Sequence, residues 1–134
     1  MATPSPFKPA AVEAAQRHLE AFALGNSDVA LTVLTSGDGF EIAAYPAKGP
    51  VTARVAAMSS SMQALAQALT REAGLGRNRS LIVETDTGSA IVLDLDDTLP
   101  RTSLAVIASN RELLGKLIWA SRNLCKQLEK TLGQ

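Results

Sequence analysis

The stretch Ser89–Asn110, SAIVLDLDDTLPRTSLAVIASN, holds two apolar runs separated by a short acidic joint that contains a proline. Each run, Ser89–Leu95 and Thr102–Ser109, is rich in Ile, Val and Leu and has the length of a β-strand. How these two strands pair decides the class of the domain. A parallel crossover needs a dozen or more residues, and only six, Asp96–Arg101, stand between the runs. The strands are therefore expected to be antiparallel.

The same stretch raises a chemical question. IVLDLDDTL resembles the first motif of the haloacid dehalogenase superfamily, an apolar strand followed by DxDxT. That resemblance implies a magnesium-dependent phosphatase with Asp94 as nucleophile, Asp96 as acid/base and Thr98 as the hydroxyl residue. LAVIASN, ending at Ser109 and Asn110, resembles the family's second motif. The spacing opposes this reading. Ser109 follows Asp94 by fifteen positions, which makes the strands antiparallel and separates the two motif ends. Downstream there is one helical segment with Lys116, Lys126 and Lys130, but no second acidic pair after a strand. Asp94 and Asp96 are read as the acidic end of a strand, in water.

Elsewhere, Val29–Thr35 and Phe40–Tyr45 are β-rich runs joined by SGDG, in which Asp38-Gly39 predicts a two-residue hairpin turn. A phosphate loop at Gly37-Asp38-Gly39 is disfavoured, because the third glycine of GxGxxG is absent and a strand follows. Ser80–Thr85 is another strand, joined to Ser89–Leu95 by the turn Asp86-Thr87-Gly88. Three helices frame these strands: Ala10–Leu24 with the stripe Val12, Ala15, Leu19, Phe22; Thr52–Ala73, closed by Gly74-Leu75-Gly76; and Arg111–Leu132 with Asn110 as N-cap and Glu112 near its positive end.

The last helix turns Leu114, Leu117, Ile118, Ser121, Leu124, Cys125 and Leu128 inward, so Cys125 is expected to be a buried core residue. Trp119 is expected to anchor the edge of that core. The middle helix carries two stripes. Val55, Met58, Met62, Leu65 and Leu69 have heptad spacing and are expected to face the core. Ala57, Ser61, Ala64 and Ala68 lie about 110° away at 100° per residue and favour close approach of a partner helix. The resulting order is helix-strand-strand-helix-strand-strand-strand-helix, an α+β architecture.

With 134 residues, the chain suits one domain (10–134) behind a flexible N-terminal arm (1–9) that holds three of the six prolines. Thirteen basic residues balance thirteen acidic ones, so no nucleic-acid footprint is expected. A single cysteine excludes an intramolecular disulfide and a multi-cysteine metal site, and a lone histidine, His18, is not read as a ligand. No run reaches about 18 apolar residues and no leader pattern opens the chain, so membrane insertion is not expected and a reducing cytoplasmic setting is.

Taken together, VALTVLTSGDGFEIAAY, RVAAMSSSMQALAQALTREAGLG, SLIVETDTGSAIVLDL and SLAVIASNRELLGKLIWASRNL resemble the roadblock family, the dynein light chain and bacterial GTPase-regulator group, across Ala10–Leu132. The resemblance implies a five-stranded antiparallel, profilin-like sheet with the middle helix on one face and the first and last helices on the other. It implies a bacterial homodimer, a protein-protein interaction module without catalytic residues, cofactor or metal. Its interface would comprise Ala57, Ser61, Ala64, Leu65, Ala68 and the edge strand residues Leu81, Ile82, Val83 and Glu84. The implied partner is a Ras-like small GTPase, which the protein binds and regulates or scaffolds. A purely structural scaffold in a signalling or motility complex is the alternative. Arg54, Arg71, Arg77 and Arg79 flank the middle helix, and none is read as an arginine finger.

Overall fold

The computed structural model describes residues 5–109 and 114–133. The chain runs α1 (Pro9–Gly25), β1 (Val29–Ser36), β2 (Glu41–Tyr45), α2 (Pro50–Glu72), β3 (Ser80–Glu84), β4 (Ser89–Asp94), β5 (Thr102–Ala108) and α3 (Leu114–Leu132). The strands form one sheet in the order β2-β1-β5-β4-β3, every neighbouring pair antiparallel. β4 and β5 pair from Ser89↔Ala108 to Asp94↔Ser103, as the short joint requires. The expected N-cap Asn110 and Glu112 lie outside the described residues.

Alternation along the strands divides the interior in two. One face carries Leu34, Ile42, Ile91, Leu93, Leu104 and Val106, which pack with Ala15 and Leu19 of α1 and Leu124, Cys125 and Leu128 of α3. Phe7, within the stretch expected to be an arm, packs partly buried on this core. The other face is thinner: Val33, Ala44, Val92 and Ala105 meet Ala56 of α2.

The small side chains of that second face change which stripe of α2 turns inward. The buried residues are Thr52, Ala56, Ser59, Gln63 and Ala66, themselves at heptad spacing. The expected core stripe is displaced outward: Met58, Leu65 and Leu69 are exposed and Val55 and Met62 only half-buried. Alanine facing alanine seats the helix close to the sheet, and a helix so placed has no room for leucine on its contact line. Pro50 begins α2 where a missing N–H costs nothing, and Thr52 Oγ1 accepts from the Gly49 N–H at 2.8 Å while donating to Glu41 at 2.6 Å.

The β1–β2 connection differs from the two-residue turn expected. Ser36 N–H donates to the Phe40 carbonyl, leaving Gly37-Asp38-Gly39 as a three-residue loop with Gly39 at φ +88. A left-handed third residue is the usual way such a loop closes, and glycine adopts it without a steric penalty. Ser60 Oγ of α2 donates to the Gly37 carbonyl at 3.1 Å, so the loop is tied to the helix.

Candidate interaction surface

α2 presents an apolar surface to solvent. Ala57, Ser61, Ala64 and Ala68 are all exposed. Beside them lie Leu65 at 71% exposure, Leu69 at 69% and Met58 at 55%. The small stripe and the displaced large one together make a single outward face. Singly exposed leucines are ordinary; a row of large apolar side chains along one side of a helix marks an interaction surface.

β3 adjoins this helix at the edge of the sheet. It pairs only with β4, and Ile82, Val83 and Glu84 are exposed while Leu81 is half-buried. Its outer backbone groups are therefore free to pair with another strand. The opposite edge is different. Gln16 of α1 reaches β2, where its Nε2 donates to the Ala44 carbonyl at 2.5 Å and its Oε1 accepts from the Ala44 N–H at 3.0 Å.

A buried polar network fixes α2 against β4 and β5. Gln63, 2% exposed, donates through Nε2 to Asp94 Oδ1 at 2.8 Å and accepts from Asn78 Nδ2 at 2.7 Å. Ser103 Oγ donates to the same Asp94 oxygen at 3.1 Å. Asp94 thus departs from its expected place in water: it is half-buried and receives two donors. Asp96 is exposed as expected, its Oδ1 accepting from the Thr98 N–H at 3.0 Å.

This geometry also answers the phosphatase question. Asp94 pairs with Ser103, whereas Ala108 pairs with Ser89 at the far end of the strand. Five residue steps, about 17 Å, therefore separate Asp94 from the segment that would supply the second motif. Among the described residues no group of three or more His, Cys, Asp or Glu is placed to hold a metal ion.

Other singled-out residues settle into structural positions. His18 Nε2 lies 3.0 Å from Thr131 Oγ1 and ties α1 to α3. Cys125 is buried, and desolvation, reinforced by the Glu129 and Asp94 carboxylates, pushes its thiol up to about 12. It is a neutral core thiol. Trp119 is not the core-edge anchor expected, because the residue is 69% exposed. Arg77 donates to the Leu95 carbonyl at 2.9 Å and pairs with Asp97 at 2.6 Å, so it braces the β4–β5 joint. Arg54, Arg71 and Arg79 are exposed. Among the described residues no helix is long and apolar enough to cross a membrane.

The Roadblock/LC7 domain model matches residues 18–108 of the chain. The chain belongs to the Roadblock/LC7 family. Solved structures agree with that assignment at the level of fold. A roadblock/LC7 domain from Streptomyces avermitilis superimposes with a TM-score of 0.79 at 21% identity, covering 89% of this chain and 98% of that one. The gliding protein mglB from Thermus thermophilus gives 0.81 at 18% identity, with 98% of each chain covered. Profilin IA from Acanthamoeba castellanii gives 0.62 at 15% identity, over 84% of this roadblock chain and 94% of the profilin. Comparison with curated protein sequences finds no significant match.

Proposed function

We propose that this roadblock protein is a homodimeric, non-enzymatic module that binds a Ras-like small GTPase and regulates or scaffolds it. The observation that carries the reading is the continuous outward face of α2, where Ala57, Ala64 and Ala68 leave the backbone approachable and Leu65 and Leu69 supply apolar area. Next to it, β3 offers an open edge with Leu81, Ile82, Val83 and Glu84. A two-fold operation that stacks α2 on α2 also brings β3 beside its mate, so one interface satisfies both features. Membership of the Roadblock/LC7 family, whose resemblance implies a Ras-like partner, supports the GTPase reading. The nearest chemistry, the Asp94 and Asp96 pair, lacks a second motif within reach, which supports a binding role over catalysis.

Two measurements test this. Ala68→Glu places a charge in the middle of the proposed interface, where burial without a partner is costly, and is expected to convert a dimer to a monomer in light-scattering chromatography. A wild-type protein that stays monomeric at high concentration removes the dimer. Binding of small GTPases of the same genome, each loaded with GDP or a non-hydrolysable GTP analogue, then tests the partner. Nucleotide-dependent binding is expected, and binding to none of them removes that part. An unchanged hydrolysis rate on binding favours the scaffold over the regulator.

A further inference from the structure

We propose that the outer face of α3, on the side of the sheet away from α2, is a docking surface for an acidic polypeptide segment of another protein. Lys116, Trp119, Arg122, Lys126 and Lys130 are all exposed. At 100° per residue they fall within about 60° either side of Trp119, on one stripe. Between Lys116 and Lys130 that stripe runs about 21 Å at 1.5 Å per residue. The chain as a whole is neutral, with thirteen basic and thirteen acidic residues, so a stripe of four cations on one helix is a segregation of charge.

The stripe continues onto the sheet. An open cleft of 370 Å³ between α3 and the ends of β3 and β4 is lined by Arg77, Arg79, Arg122 and Lys126, with Leu93 and Leu95 at its floor. Three carboxylates, Asp94, Asp96 and Glu129, share the cleft, and each already accepts a hydrogen bond from the chain. Arg77 is held by Asp97. Arg79, Arg122 and Lys126 have no ion pair among the described residues. Hydrogen bonds from neutral donors leave those carboxylates charged, so cations and carboxylates balance in the cleft and the positive excess lies on the outer stripe of α3.

The shape of the surface selects the occupant. Cations spread over four turns of helix exceed the span of a single phosphate and match an extended or helical chain of carboxylates. Trp119 stands in the middle of them, and a large aromatic amid charge is what interfaces use as an anchor. A membrane would require an apolar helix face to insert, and the apolar face of α3 is packed on the sheet, leaving Trp119 as the one large apolar side chain exposed on the described part of α3.

Trp119 is the chain's only tryptophan, so its fluorescence reports on this face directly. The full chain is titrated with a 16-residue peptide rich in Glu with a central Leu, with the same peptide carrying Gln for Glu, with phosphatidylglycerol vesicles and with inorganic phosphate. A saturable change with the Glu peptide alone is expected, weakening with added salt. The double variant Arg122→Glu, Lys126→Glu should bind at least tenfold more weakly while melting within a few degrees of wild type. Ala68→Glu should bind the peptide as wild type does, which separates this surface from the α2 interface. No saturable change, an equal response to the Gln peptide, stronger binding to vesicles or phosphate, or indifference to the double variant overturns the proposal.

Discussion

Leu65→Ala separates an interface leucine from a core leucine, because the two readings predict opposite results in two assays. In the core, truncating leucine to alanine costs about 2–5 kcal/mol of folding stability. With 71% of its surface exposed, Leu65 has little folding energy to lose, and a change within about 0.5 kcal/mol is expected. Fully burying a leucine side chain is worth about 1.5–3 kcal/mol, so covering the exposed part of Leu65 is worth about 1–2 kcal/mol per copy. A two-fold interface counts the residue twice, giving about 2–4 kcal/mol per dimer, which is a rise of about 30-fold to several hundredfold in the dimer dissociation constant. Sedimentation equilibrium gives that constant. Urea unfolding at a dilution where the wild type is monomeric gives the folding term. A variant that loses more than about 2 kcal/mol of monomer stability while its dimer constant stays put refutes the placement of Leu65 on the outside.

Other expectations follow from single features. Gln63→Ala removes the donor to Asp94 and the acceptor for Asn78, and leaving buried polar groups unpaired should cost about 1–3 kcal/mol in urea unfolding. Gly88→Ala would set a Cβ 2.1 Å from the Ala108 carbonyl oxygen, so β4 or β5 must shift, and a loss of about 1–3 kcal/mol or more is expected in the same assay. Cys125 should resist alkylation at pH 8 until the chain unfolds, because the folded thiol is buried and pushed up to about 12. The thiol in the unfolded chain ionises from about 9.0 whereas the folded one stays neutral until about 12, so this contribution is whole below pH 9 and fades between those values. Cys125→Ala should flatten the fall in urea midpoint between pH 8 and pH 10.5.

Most of the fold is legible in the sequence, for a physical reason that differs by element. The helices α1 and α3 are amphipathic with one large apolar stripe each, and in both that stripe is the buried one. Gly, Asp and Pro at the turns delimit the strands, and the six-residue joint leaves β4 and β5 only one way to pair. α2 defeats the same logic. Its sequence carries two heptad stripes, and side-chain size alone argues for the large one inward; the identity of the opposing sheet residues, Val33, Ala44 and Ala105, decides instead. Long-range complementarity of that kind is not a property of the helix segment alone. The small-residue stripe lies on the exposed side of α2, with Ala64 and Ala68 in solvent. Local pattern misplaces Asp94 for a related reason: its donors Gln63 and Ser103 lie thirty-one and nine residues away, beyond the reach of any such pattern. Hydrophobicity draws Trp119 inward, although its place beside the stripe of α3 gives it no neighbour to cover it.

The clasp of Gln16 on Ala44 bears on how many copies can join. A sheet with two bare margins is a monomer in the polymer chemist's sense, with two reactive ends, and its addition to itself has no natural stopping point. Here one margin is capped at Ala44 by an amide from α1, which leaves β3 as the more open end. Strand addition at β3, as proposed above, would use up the open end of each molecule and yield a ten-stranded sheet whose outer margins both carry the clasp. A Gln16→Ala chain would regain the second end, turning a closed pair into a subunit able to propagate.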